Sequence, residues 1–78
     1  MNPDAIHIGK PGDSYDYLQA LCKKEAEKLS KVINISDVEQ LEVPCWTNFP
    51  GELICVITFK KDNNGDVVFT IDESQSTL

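Results

Sequence analysis

Arginine is missing from this chain, and seven lysines stand against thirteen acidic residues, leaving a net charge of −6. Proteins that grip nucleic acid do so mainly by neutralising phosphates with Lys and Arg. The balance therefore argues against direct nucleic-acid or membrane binding and favours a protein partner with a basic surface. No apolar run approaches the roughly 20 residues needed to span a bilayer. Residues 1–8 carry no cationic stretch ahead of an apolar core, so they do not read as a signal peptide. Cysteine is sparse: Cys22, Cys45 and Cys55 are odd in number and lack CxxC spacing. That usage fits reduced thiols in a cytoplasmic protein better than a secreted disulfide scaffold. HExxH, GxSxG and a Gly-rich phosphate loop are absent too. The expectation is a non-enzymatic protein with no metal and no cofactor.

What is present suffices for one small domain spanning residues 1–78. Its hydrophobic share of 41% argues against wholesale disorder. A chain this short buries only roughly 60% of its unfolded surface, so a partner or a second copy would add stability.

Residues 1–12 hold two prolines and two glycines and read as an arm with room for one short strand. A helix is predicted over 14–33. Asp13 is placed to cap it, because its carboxylate can accept the free amide protons of the first turn. Asp16 suits the positive end of the dipole. Leu18, Leu21, Cys22, Ala26, Leu29, Val32 and Ile33 recur at spacings of three and four, making one apolar stripe. Ser36-Asp37-Val38-Glu39 matches a capping box and predicts a short helical turn.

From Leu41 the period changes to two. Leu41, Val43 and Cys45 alternate with Glu42, which is strand spacing. Pro44 cannot donate to a ladder, so this strand should lie at an edge or be interrupted there. Residues 53–59 are a continuous β-favouring run, expected of a central strand with both faces covered. Phe49-Pro50-Gly51-Glu52 before it fits a type II turn. Asn63-Asn64-Gly65 leads to a third strand at 67–71, and residues 74–78 read as a frayed tail. The fold class is α+β: one long amphipathic helix on a three-stranded antiparallel meander at 41–73, with a short N-terminal strand as an option.

Register can be chosen by consistency. A three-residue loop with Gly65 in the left-handed region pairs Phe59 with Phe69, Thr58 with Thr70 and Ile57 with Ile71. A two-residue loop would send Phe69 to the opposite face. The first register keeps the large residues together. Pairing Cys45 with Cys55 likewise aligns Val43 with Ile57 and Leu41 with Phe59. The inner face then holds Leu41, Val43, Cys45, Leu53, Cys55, Ile57, Phe59, Val67, Phe69 and Ile71, which the helix stripe can cover.

The other face carries Trp46, Ile54, Val56 and Val68, with Thr58 and Thr70 beside them. The only long helix is already used. Either the arm or the 34–40 connection folds over this face, or it is an exposed apolar patch of the kind that marks an interface. The exposed reading is the one taken. Trp46, Ile54, Val56 and Val68 are its anchors, and Glu42, Glu52 and Asp72 are a steering rim. The helical segment contains Asp16, Glu25 and Glu27 but also Lys23, Lys24, Lys28 and Lys31, so most of the negative charge falls on the sheet and loops.

The three cysteines all fall on the inner face and read as core. Cys45 and Cys55 face each other and could oxidise to a cross-strand disulfide. Zinc sites need about four clustered ligands, which three scattered cysteines and one histidine do not supply. Asp62-Asn63-Asn64-Gly65-Asp66 lacks the later ligands of a calcium loop and reads as a turn.

In size, acidity and composition the chain is similar to many small acidic regulators: phage-encoded inhibitors such as anti-CRISPR and anti-restriction proteins, immunity proteins and antitoxins. That likeness transfers no residues. The expected function is a protein-binding inhibitor or regulator of a larger protein. The alternatives are a homodimeric assembly subunit using the same face, and a small thiol enzyme with Cys45 as nucleophile and His7 as base.

Overall fold

Two short hydrogen bonds decide where the helix begins. In the computed structural model, which describes residues 3–49 and 51–77, Asp13 Oδ2 accepts from Lys10 N at 3.0 Å and closes the preceding turn. The cap falls to Ser14, whose extended backbone lets Oγ accept from Tyr17 N at 3.3 Å. The expected Asp13 cap is thus displaced by one residue, because its carboxylate is spent on the turn. Helix α1 runs Tyr15–Ser30 and buries Leu18, Cys22 and Ala26. It ends sooner than 14–33. Ser30 Oγ donates to Glu27 O at 2.7 Å, and Val32, Ile33 and Ile35 beyond it are β-branched, which disfavours further turns. Val32 is left exposed, whereas Ile33 and Ile35 turn into the core.

The strands are β1 (Ile6–Ile8), β2 (Leu41–Thr47), β3 (Leu53–Lys61) and β4 (Val67–Asp72), in that order across one sheet. β2, β3 and β4 form the antiparallel meander. β1 joins it parallel to β2, with Ile6 opposite Cys45 and Ile8 opposite Thr47, so the sheet is mixed. A parallel neighbour can be reached only by a crossover, and α1 with its loops supplies it. The pairs Leu41–Phe59, Val43–Ile57 and Cys45–Cys55 form as the apolar pattern requires. So do Phe59–Phe69, Thr58–Thr70 and Ile57–Ile71. Gly65 takes φ 83°, and Asp62 Oδ1 accepts from Asn64 N and Asp66 N, which holds the three-residue loop.

Pro44 is accommodated without being on an edge strand. β2 lies between β1 and β3, but β1 reaches only as far as Cys45. The side of Pro44 that lacks a donor therefore faces no partner strand.

Three expectations are corrected. The capping box closes, with Ser36 N donating to Glu39 Oε1 at 3.1 Å and Glu39 N to Ser36 O at 3.2 Å, yet it makes only a turn because β2 begins two residues later. The tail does not fray through Thr77. Leu53 O accepts from Thr77 N at 2.9 Å and Ser76 Oγ at 3.1 Å, and Leu53 N donates to Thr77 Oγ1 at 2.9 Å. Third, the ladder slips between Cys45 and Trp46, so that Trp46 faces Leu53 and Ile54 is extra on β3. The type II turn expected at 49–52 centres on Pro50, outside the described residues.

The slip decides the core. Ile54 is fully buried and belongs to one cluster with Ile6, Leu18, Cys22, Ala26, Ile33, Ile35, Val43, Cys45, Cys55, Ile57 and Phe59. Leu41, Val67, Phe69 and Ile71 pack at its margin. Phe59 and Phe69 meet with ring centroids 6.2 Å apart. Glu73 ties the start of the helix to the end of β4, accepting from Tyr15 Oη at 3.0 Å and from Gln19 Nε2 at 2.7 Å. Burial and the Glu73 carboxylate both hold the Tyr15 phenol above its ordinary pKa.

Candidate functional site

Because successive strand residues point to opposite faces, the register fixes the membership of the helix-free side. One row crosses from His7 through Trp46 to Leu53. The next rows run Pro44–Val56–Asp72 and Glu42–Thr58–Thr70, and Lys60 stands beside Val68 at the far end. Among the described residues, α1 packs on the opposite side of the sheet, with Leu18, Cys22 and Ala26 in the core. Residues 6–8 extend the sheet sideways at β2.

Three of the four expected anchors are on this face. Trp46 and Val56 are half-buried, and Val68 is exposed. Ile54 is not on it: the slip at Cys45/Trp46 turns its side chain into the core, where it is 0% exposed. Leu53, expected in the core, is buried, but it stands opposite Trp46 and outside the main cluster. Sequence reasoning had no signal for a one-residue slip, since β3 is apolar on both sides and either parity looks equally good.

The rim residues differ in freedom. Glu42 and Asp72 are exposed on the helix-free face. Asp72 Oδ1 accepts from Ser74 N at 2.9 Å. Bonds from the Ser74 side chain and then its backbone hold the Asp72 carboxyl below the usual range. Glu52 is half-buried in the loop before β3, and its backbone pairs with Thr47: Glu52 N donates to Thr47 Oγ1 and Thr47 N to Glu52 O, both at 2.9 Å.

Two residues on or beside the face were not singled out as anchors. Phe49, in the loop that follows Trp46, is 94% exposed. Gly51 of the same loop lies against the indole, where an added Cβ would stand 3.8 Å from Trp46 Cε3. His7 is exposed beside Trp46, a position that follows only from the parallel pairing of β1. That pairing separates His7 from Cys45. The two belong to opposite sides of the sheet, and Cys45 is 0% exposed.

The covered side holds a cluster that spacing alone did not predict. Cys22 from α1, Cys45 from β2 and Cys55 from β3 bring their Sγ atoms within 4.8 Å of one another, and all three side chains are buried. Cys22 Sγ and Cys45 Sγ are 2.8 Å apart, and all three residues are free thiols. The three act as one titrating unit. Hydrogen bonds from Cys22 and Cys45 favour the thiolate of Cys55 and lower its pKa. Bonds to Cys22 and Cys55, with burial, hold Cys45 protonated. The expected Cys45–Cys55 facing pair is present in the register. The third member comes from helix geometry: Cys22 lies on the buried stripe midway between Leu18 and Ala26.

An open groove of about 650 Å³ lies elsewhere, between α1 and β1, lined by Ile8, Leu21, Val32 and charged side chains including Lys24, Lys28 and Lys31. Among the described residues no helix is long and apolar enough to cross a membrane. Comparison with protein families, curated proteins and solved structures finds no match to this chain.

Proposed function

We propose that this chain is a small acidic, non-enzymatic protein-binding module that docks through its helix-free sheet face onto a larger protein and inhibits or regulates it in the cytoplasm. The observation that carries this reading is that Trp46, Val56 and Val68, on separate rows of the helix-free face, stay half-buried or exposed. Its anchors are those three side chains, with Phe49 as an exposed aromatic at the loop end. Aromatic side chains at the centre of a patch supply much of the binding energy in protein interfaces. The partner's surface is basic, because the chain carries a net charge of −6 and the exposed carboxylates of Glu42 and Asp72 sit on the docking face. Such charges mainly speed encounter and select among partners. The reading groups the chain with inhibitors of the phage, anti-CRISPR, immunity-protein and antitoxin kind.

Affinity capture from the native host, read by mass spectrometry, identifies the partner. Trp46→Ala should then weaken binding by roughly 30-fold or more, which corresponds to about 2 kcal/mol, while the variant keeps its circular dichroism spectrum. Val56→Asp should do the same. Folded variants that bind every captured partner normally would remove this face from consideration. A second reading, a homodimer through the same face, has one observation in its favour: Lys60 shares the face with Glu42 and Asp72, so two copies could pair opposite charges. Sedimentation at micromolar concentration separates a dimer from a monomeric binder.

A further inference from the structure

We propose that Cys22, Cys45 and Cys55 form a closed three-thiolate site for a soft metal ion, copper(I). Every cysteine of the chain converges on this one point, from a helix and two strands. Their Sγ atoms all lie within 4.8 Å of one another. A metal–thiolate bond of about 2.3 Å puts the sulfurs of a three-coordinate ion about 4 Å apart. The cluster spans that spacing. The Cys22–Cys45 pair, at 2.8 Å, must open by about 1 Å.

The donor set chooses the ion. Sulfur alone selects soft ions over magnesium, calcium or manganese. No histidine or carboxylate joins the group among the described residues. Structural zinc takes four ligands, and catalytic zinc takes three with a water in the fourth place. The three cysteines are 1%, 0% and 1% exposed, so neither a fourth side chain nor solvent completes such a shell. Iron–sulfur clusters use four cysteines. Copper(I) remains, since it is content with three sulfurs in a plane. Each sulfur gives up its proton to solvent as it binds, and no electron is transferred. The ion would pin α1 to the central pair of strands, so binding should stabilise the folded state. Strand register sets Cys45 opposite Cys55, and the buried stripe of α1 adds Cys22, whose Sγ lies 2.8 Å from that of Cys45.

The test uses the full chain, reduced and handled without oxygen. Copper(I), delivered as its acetonitrile complex, competes against a chromophoric copper(I) chelator. The expected result is one ion retained per chain, a sulfur-to-copper absorption in the near ultraviolet, a melting temperature several degrees higher, and three copper–sulfur distances by X-ray absorption. Cys22→Ala and Cys55→Ala should each weaken retention by more than roughly tenfold. If those variants fail to fold, the wild-type chain still decides: bound copper should protect all three thiols from alkylation and add one metal mass to the native spectrum. Failure of the wild type to retain copper overturns the site. So does equal retention by a folded chain lacking the three cysteines. Zinc that binds at one equivalent and is not displaced by copper(I) overturns the choice of ion.

Discussion

The two faces of this sheet are built from alternate residues of the same strands, and they meet opposite fates. On one side Val43, Cys45, Ile57 and Phe59 vanish under α1 and the Ile33–Ile35 turn. On the other, Trp46, Val56 and Thr58 remain half-buried and Val68 is exposed. Both sides of β3 are apolar, as in a strand covered twice, and among the described residues α1 covers one of them. Folding requires the first face. On the second, Trp46 and Val56 are buried only in part, so they contribute less to folding than the side chains of the first.

Substitutions at neighbouring positions measure the difference. Phe59→Ala should cost about 3–5 kcal/mol in urea unfolding, enough to unfold much of a domain this small. Ile54→Ala comes next, at about 2–5 kcal/mol. It tests the slip directly: if Ile54 sat beside Val56 on the open face, the loss would stay near the surface range. Val56→Ala should cost no more than about 1 kcal/mol, because half-burial leaves little to lose. A Val56→Ala loss equal to that of Ile54→Ala would erase the contrast between the faces. The smallest effect concerns charge. Asp72 should titrate below the ordinary aspartate range, and Ser74→Ala should move it back toward that range by carbon-detected NMR titration. Its folded-state pKa is depressed, so the bond's contribution is present above the unfolded pKa. It is lost as pH falls through the lower, folded value.

Much of this was legible in the sequence. The helix stripe, the strand periods and the Asn64-Gly65 turn led to the helix-on-meander fold and to nearly every cross-strand pair. Local chemistry sufficed there, because a one-residue error would have moved large side chains into water. It failed where two local solutions were equally good. Asp13 and Ser14 are both capable caps, and only the turn made by Lys10 separates them. Residues 53–55 are apolar at every position, so nothing in them marked the slip that sent Ile54 inward. The placing of Trp46, Val56 and Val68 on the helix-free face was readable from alternation alone. His7 as their neighbour, and the meeting of three cysteines, depend on contacts between segments far apart in the chain.

The strand order has one more consequence, for crowded solutions. An unpaired sheet edge can template another strand. At the β1 edge only three residues are on offer, and Pro44 denies a donor to the stretch of β2 beside them. β4 offers six residues with neither proline nor glycine. A body with one adhesive edge can pair with its own kind and then has nothing left to add to. Indefinite growth needs two such edges. If this protein sticks to itself along its strands, the chemistry of its ends makes the product a closed pair and not a fibre.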